Sequence, residues 1–371
     1  MAAGLLVLCA PETAWAACTT SGNTVTCTPG TTQTTRVGNG DPSDNVTVNV
    51  QPNAQISVGN DNAISLGDNA TITLGANSRV TNNASGGASA GRWGAGPNTI
   101  EFGSNGRLTI GTGAFVTANG TSNNGEPINV MGSGNVITNY GTVSSRSGAA
   151  IWFEDRTLGS GNTIDNYGVI ETLLGANANV IGNQRTSDVT FINRTGATVR
   201  GSLSFAGGND TLILETGSVI TGSFNGGGGT NTLSLSGAGE DSLAGDIRNF
   251  QTLTKEGTGR WTLTGAIGAN GGNAPLQVFV NQGTLALTGN NANFNGSVTV
   301  NTAGVLEARA QSLPPSIIDN GLVRFVQDTA GTYSGVISGT GAVEKTLGGT
   351  LTLSGTNTYS GGTTINAGTV L

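Results

Sequence analysis

The last stretch of the chain constrains the fold more than any other. Leu351 and Leu353 alternate there with threonine and serine, which is the period-two pattern of a β-strand. Gly355 ends this strand, and extended chain resumes after the Gly361-Gly362 pair. β-branched residues and glycines stand where a helix would need good helix formers, so the pattern predicts short strands joined by tight turns.

The same pattern recurs earlier in the chain at two fixed offsets. At an offset of 65 residues, Phe294 corresponds to Tyr359. At an offset of 90 residues, Lys255 corresponds to Lys345, with glycines matched on both sides. Repeats of this kind indicate stacked supersecondary units rather than one globular core.

The stretch from Val343 to Leu371 resembles the passenger-associated transport repeat of bacterial autotransporters. The family pattern is a lysine followed by G-x-L-T-L-S-G, N-T-Y-S-G-G-T-T-I and A-G-T-L. The resemblance is close over under a tenth of the chain and loose over roughly its last third. The motif positions that match are Lys345, Gly349, Leu351, Leu353, Gly355, Asn357, Tyr359, Gly361, Gly362 and Ile365.

This resemblance implies an all-β fold, a right-handed parallel β-helix, in a secreted passenger. It also implies an outer-membrane translocator barrel as the export partner. The chain would then pass through the periplasm to the outer-membrane surface or the extracellular space. No barrel sequence is present and the chain stops inside a repeat at Leu371, so we expect the natural gene product to be longer.

Spacing within the chain predicts the size of one coil. Asn139-Tyr140-Gly141 recurs 27 residues later as Asn166-Tyr167-Gly168. Such intervals suit one turn of a β-helix with three short strands, which predicts roughly 16 coils at a strand spacing of about 4.8 Å. Asn at equivalent corners is expected to form ladders of amides, and Asn and Gly take left-handed corner conformations readily. An antiparallel sandwich would also fit the alternation, but it gives no reason to reuse one turn at constant period.

The chain divides into a leader and two stretches of coils. An apolar run followed by Ala-Trp-Ala predicts a secretory signal, partial because its basic start is missing, with cleavage between Ala16 and Ala17. The repeat style changes between Glu240 and Phe250, which indicates a soft boundary. The predicted segments are the signal at 1–17, passenger coils at 18–244 with a loop near 84–97, and transport-repeat coils at 245–371, with a second loop at 270–275 and a truncated last repeat.

Cys18 and Cys27 remain after the signal is removed. Two cysteines in an exported chain favour a disulfide, and the intervening Ser21-Gly22-Asn23 turn would bring them together. A pair of free thiols is the alternative.

Composition excludes several classes of function. The chain has no histidine, which removes Ser-His-Asp and Cys-His catalysis and His-based metal sites. Its net charge is −7 and no basic cluster exists, so nucleic-acid binding lacks its electrostatic basis. No cofactor is predicted. A Gly-Gly-Asn-Asp stretch ending at Asp210 resembles half of a calcium-binding repeat, but an ordinary Gly-Asn corner explains it equally.

The densest aromatic and charged cluster is the candidate ligand patch. It consists of Trp152, Glu154, Asp155 and Arg156, with Trp93 of the first predicted loop as a further candidate. Adjacent residues on a strand point to opposite faces, so Glu154 and Asp155 share one substrate only on a loop. The cluster is a ligand patch, a catalytic pair or a structural corner.

The sequence thus predicts a non-catalytic passenger. Its expected role is adhesion, with host cells, matrix, neighbouring cells or further copies of itself as partners. The alternative is a β-helix enzyme that degrades polysaccharides with acidic residues near Glu154.

Overall fold

The computed structural model describes residues 17–84, 97–121, 125–154, 161–183, 188–268, 275–291, 294 and 296–371. It is an all-β solenoid of about 14 parallel turns with 2% helix, which confirms the predicted parallel β-helix. The expected number of coils was too high. A coil takes between 19 residues, from Val298 to Ile317, and 36 residues, from Thr71 to Arg107, and the long early coils leave room for fewer turns.

The described chain forms 39 strands, β1–β39 in chain order, which wind around three faces of a tube. Face A receives one strand from each turn. Its strands are β2 (Thr24–Cys27), β5 (Thr47–Val50), β8 (Thr71–Leu74), β11 (Arg107–Ile110), β14 (Val136–Asn139), β17 (Asn162–Asn166), β20 (Val189–Asn193), β23 (Thr211–Glu215), β26 (Thr232–Ser236), β28 (Thr252–Lys255), the first halves of β30 (Gln277–Leu287) and β31 (Ser297–Ala308), β32 (Ser316–Asp319) and β35 (Val336–Ser338).

Face B follows face A in each coil. The long strands β30 and β31 bend at the corner and contribute their second halves to this face. Its other strands are β3 (Thr32–Gln33), β6 (Gln55–Val58), β9 (Arg79–Asn82), β12 (Phe115–Ala118), β15 (Thr142–Ser145), β18 (Val169–Thr172), β21 (Thr198–Arg200), β24 (Val219–Ile220), β27 (Glu240–Leu243), β29 (Arg260–Leu263), β33 (Leu322–Val326), β36 (Ala342–Thr346) and β38 (Thr363–Ile365).

Face C closes each coil. Its strands are β4 (Val37–Gly40), β7 (Ile64–Leu66), β10 (Ile100–Phe102), β13 (Ile128–Val130), β16 (Ile151–Phe153), β19 (Ile181–Asn183), β22 (Leu203–Ser204), β25 (Phe224–Asn225), β34 (Gly331–Tyr333), β37 (Thr350–Leu353) and β39 (Thr369–Val370). Two single 3₁₀ turns, Asp41–Ser43 and Ala310–Ser312, are the helical elements of the described residues. Neither is long and apolar enough to cross a membrane.

A narrow apolar core runs along the axis of the tube. Alternate side chains of most strands point inward, so β5 buries Val48 and Val50 while its other residues stay half-exposed. Large side chains such as Phe102 and Trp261 fill the wider places. Trp261 is 1% exposed, as expected for the position that corresponds to Leu351 in the repeat. Parallel stacking thus buries one residue in two without needing continuous apolar strands.

The sequence repeat and the structural coil have different lengths. Lys255 lies on face A in β28, whereas Lys345, 90 residues later, lies on face B in β36. Val298 and Thr363, 65 residues apart, differ in the same way, because β31 begins on face A and β38 lies on face B. The two offsets therefore correspond to about four and one third and three and one third turns. The strand–corner–strand unit is kept, but it moves to the next face of the tube.

An antiparallel hairpin begins the described chain. β1 (Cys18–Ser21) pairs antiparallel with β2, whereas every other pairing between described strands is parallel. A disulfide joins Cys18 to Cys27, and Cys27 is fully buried on the inner side of the first coil. The hairpin covers the open edge of β2, and a covered edge is what the first coil of a solenoid requires.

Replacing both cysteines, Cys18→Ser with Cys27→Ser, should loosen the first coils. A closed loop of ten residues is worth about 2.7 kcal/mol in the entropy model. We expect faster amide exchange in β2 and β5, and unchanged exchange in β14 and later coils. Ser21→Ala in the same hairpin is the matched control. Equal exchange in the double variant and the control would contradict the role of the disulfide.

Candidate functional site

The predicted ligand patch lies on the outer side of face C. Trp152 is the middle residue of β16, between the inward-facing Ile151 and Phe153, and it is half-buried. Glu154 follows two residues later on the same outer side, and its backbone N–H donates to the carbonyl of Val130 at 2.8 Å. Trp93, Asp155, Arg156 and Ala16 lie outside the described residues, as do most of the two predicted loops.

A column of side chains leads up to Trp152 across the coils. Ser65, Glu101, Asn129 and Trp152 occupy matched positions on successive strands, and Gly182 follows them. A Cβ atom at Gly182 would come within 1.8 Å of the Trp152 ring. The indole therefore lies flat on the next strand, and a glycine is required there.

The lower half of this column is buried although it lies on the outer side of the strands. Ser65, Glu101 and Asn129 are all 0% exposed. The Ser65 hydroxyl donates to Oε1 of Glu101 at 2.5 Å, and the amide of Asn98 donates to Oε2 at 3.4 Å. Both polar atoms of the Asn129 side chain lack a hydrogen-bond partner. Burial raises the pKa of Glu101, against the effect of the Ser65 hydrogen bond.

Glu126 lies beside this column, and sequence reasoning missed it. Its backbone N–H donates to Oδ1 of Asn98 at 3.1 Å, so it stacks one coil above Asn98. Burial raises the pKa of Glu126 to about 7, and the nearby charge of Glu154 acts in the same direction. The spacing from Asn98 to Glu126 is 28 residues and that from Asn62 to Asn98 is 36, so no constant period marks this corner.

The arrangement pairs two carboxyl groups in different surroundings next to an indole. Glu126 is buried and holds its proton up to neutral pH, whereas Glu154 is half-exposed. Such a pair can donate and accept hydrogen bonds with a polyhydroxylated ligand, and it is also the minimal equipment of acid–base catalysis. Within the described residues, no group of three or more Cys, Asp and Glu side chains is placed to hold a metal ion.

The lysine of the repeat motif has a structural role. Lys345 is fully buried, and its ammonium group lies within hydrogen-bond distance of the carbonyls of Gln327, Thr346, Leu347 and Ala367 at 2.7–3.3 Å. These carbonyls belong to the corner after β36 and to the coils on either side. Burial lowers the pKa of Lys345. The residue serves to neutralise corner carbonyls that face the dry interior.

Lys255 repeats this arrangement on the preceding face. Its ammonium donates to the carbonyls of Glu256, Gly257 and Gln282 at 2.7–2.9 Å. Burial lowers its pKa to about 8. Because two lysines 90 residues apart make the same contacts on different faces, the motif encodes a corner rather than a face.

The other motif positions serve packing and turns. Leu351 is buried, Leu353 and Tyr359 pack against the core, and Ile365 in the last coil is 50% exposed. Asn357 accepts a hydrogen bond from the backbone of Ile337 at 2.9 Å. Among the glycines, Gly362 has a φ of +84°, and a Cβ on Gly355 would come within 1.9 Å of the Gly335 carbonyl. Gly349 and Gly361 similarly lie against the backbone of the coil below.

Asn ladders form where equal spacing predicted them. Asn139 donates to Asn166, and Asn166 to Asn193, each at 2.8 Å between Nδ2 and Oδ1. All three side chains are fully buried on the inner side of face A. Asp210 belongs to a second ladder, since its carboxylate accepts from the backbone of Val189 at 2.7 Å. The resemblance of this stretch to a calcium repeat is therefore explained by a hydrogen-bonded corner.

An exposed aromatic stack lies on the outer side of the same corner. Tyr140 and Tyr167 stack with ring centroids 4.7 Å apart, and the guanidinium of Arg194 lies 5.5 Å from the Tyr167 ring. Arg194 also pairs with Asp165 at 2.7 Å and with Glu215 at 2.8 Å. The two tyrosines are about 40% exposed, so this is the largest aromatic surface of the described outer wall.

Lys255→Met should destabilise the coils around β28. Methionine keeps most of the volume but removes every donor, which leaves three buried carbonyls unpaired at roughly 1 kcal/mol or more each. We expect lower resistance to urea and faster amide exchange in β28 and β30. Arg248→Met, an exposed change in the preceding coil, is the control. Similar unfolding of the two variants would show that the ammonium contributes nothing.

Glu126 should make stability depend on pH. The pKa is raised in the folded state, so the folded chain binds the proton more tightly than the unfolded chain. This contribution is complete below about pH 4.5 and is lost as pH rises to about 7, by roughly 3 kcal/mol. Glu126→Gln should abolish that fall, while the exposed Glu240→Gln should keep it. The measurement is urea unfolding at pH 5 and pH 8, and an equal slope in both variants would refute the assignment.

Comparison with known proteins is restricted to the second half of the solenoid. The passenger-associated-transport-repeat family matches residues 253–272, 281–308 and 343–371, about a fifth of the chain. No curated protein and no solved structure matches. The matched segments include both buried lysines and the corners that they neutralise. With these repeats on a parallel solenoid, the chain is an autotransporter passenger of the passenger-associated-transport-repeat kind.

Proposed function

We propose that this passenger is exported through the periplasm to the outer-membrane surface or the extracellular space and acts there as a non-catalytic adhesin. Three transport repeats carry the proposal, because such repeats occur in passengers that a C-terminal translocator exports. The partner in export is an outer-membrane translocator barrel. The partners in adhesion are host cells, extracellular matrix or neighbouring cells, including further copies of the same chain.

The shape and the outer wall support this role. About 14 coils at a strand spacing of about 4.8 Å give a rod close to 65 Å long. Its outer wall presents ladders of Asn, Thr and Ser together with the Tyr140–Tyr167 stack and the Trp152–Glu154 patch. Exposed aromatic rings beside carboxylates are suited to holding polar ligands. A rod that repeats small polar surfaces can bind an extended partner at many points.

A second candidate is hydrolysis or lysis of a polysaccharide by the Trp152–Glu154 patch. The observation in its favour is Glu126, a buried carboxyl that holds its proton up to about pH 7 beside the half-exposed Glu154. Glycoside hydrolysis uses two carboxyls of this kind, one protonated and one ionised. In this reading Glu126 is the acid, Glu154 is the base or nucleophile, and Trp152 supports a sugar ring.

One experiment separates the two candidates. The purified chain is screened for binding to cultured cells and matrix proteins, and it is incubated with acidic and neutral glycans. We expect saturable binding without turnover, with binding reduced at least tenfold in Trp152→Leu and kept in Thr109→Val, an outer-wall change on another face. Turnover that is lost in both Glu154→Gln and Glu126→Gln would replace the adhesin by the enzyme. Absence of binding and of turnover would refute both.

A further inference from the structure

The wall of the tube is interrupted at one place on face B. The ladder that begins at β3 ends with β24 (Val219–Ile220), and the next strand on this side, β27 (Glu240–Leu243), pairs upward with β29. No pairing between described strands joins β24 to β27. Over the same height, face A remains continuous through β23, β26 and β28. Face C keeps a bridge between Asn225 and Arg248.

The interruption opens into the core. A cavity of about 430 Å³ lies there, lined by Ile220, Thr221 and Phe224 below and by Leu243, Ala244 and Gly245 above. Ile220 and Leu243 are only partly buried, whereas their inward-facing counterparts Val199 and Leu263 on neighbouring strands are 0% and 2% exposed. Val219, on the lower lip, is 47% exposed. Apolar core surface thus meets solvent through one side of the tube.

Side chains hold the opening at its beginning. The backbone N–H of Gly217 donates to Oδ2 of Asp241 at 2.8 Å, and the N–H of Gly239 donates to the hydroxyl of Thr216 at 3.1 Å. These contacts replace the backbone ladder just before the two strands begin. The carbonyls on the upper side of β24 and the N–H groups on the lower side of β27 therefore face each other across the gap without a ladder between them.

We propose that this opening is a docking site for an extended peptide strand of a partner protein, which enters parallel to β24 and restores the ladder of face B. Strand addition to a sheet edge takes its affinity from the main chain and its selectivity from alternate side chains. The inward positions of the peptide are apolar, because they meet Ile220 and Leu243. The exposed carboxylate of Glu240 on the upper lip and the net charge of −7 favour a basic residue at an outward position.

This proposal concerns a surface separate from the Trp152–Glu154 patch on face C. It does not depend on adhesion or on catalysis, and either of those functions can fail without affecting it. The strands at the opening also lie before the matched transport repeats, which begin at residue 253. The occupant is therefore argued from the free strand edges and the apolar floor alone.

The test uses the synthetic peptide Lys-Thr-Val-Thr-Val-Thr with a fluorescent label, added to the intact chain. We expect binding by fluorescence polarisation, and new amide protection in β27, whose N–H groups gain acceptors. The same peptide with N-methyl groups on alternate amides should bind at least tenfold more weakly, because it cannot complete the ladder.

Two variants of the chain locate the site. Ala244→Trp fills the opening from its exposed upper lip, and Val219→Lys repels a basic peptide from the lower lip; each should weaken binding at least tenfold. Val336→Lys, at an exposed valine of face A, is the matched control and should bind normally. The proposal is overturned if the peptide does not bind the unmodified chain, if both lip variants bind it normally, or if protection arises away from β27.

Discussion

Each turn of the solenoid must bend the backbone three times, and each bend leaves peptide groups facing an interior that water does not enter. A buried peptide group without a partner costs about as much as a lost hydrogen bond, so the inner position at a strand end is chosen by what its corner presents. Asn139 accepts from a corner N–H at Gly141, while Lys255 donates to corner carbonyls. Asp319 accepts from Gly321 at a third corner of the same column.

This requirement accounts for features of the fold that differ in sequence. One inner column at the end of face A contains Asn193, Leu214, Lys255 and Asp319, in register from coil to coil. Apolar residues occupy it where the corner satisfies itself, and polar residues occupy it where the corner does not. Buried charges are tolerated there because each one has several hydrogen bonds of its own. The transport-repeat motif is one version of this arrangement, with lysine as the donor.

The candidate site on face C was only partly predictable. Trp152 and Glu154 stand out in the sequence because aromatic and charged residues are adjacent in a chain poor in both. Glu101, Asn129 and Glu126 do not, because each is a single polar residue in its own coil. Stacking brings them together across spacings of 23 to 36 residues, and only the register of the strands reveals the column. The opening beside β24 is likewise invisible in the sequence, because β27 has the alternation of any other strand.

The sequence by itself determined the parallel solenoid, the coil of roughly 20 to 27 residues, the Asn ladders and the transport-repeat family, because all of these follow from local period and local turn chemistry. The tertiary structure decided the number of turns, since long coils such as the one between Thr71 and Arg107 give no periodic signal. It also decided which face each repeat occupies. A unit of strand, corner and strand folds equally well on any side of a three-sided tube, so its face is set by the number of residues in the preceding coils.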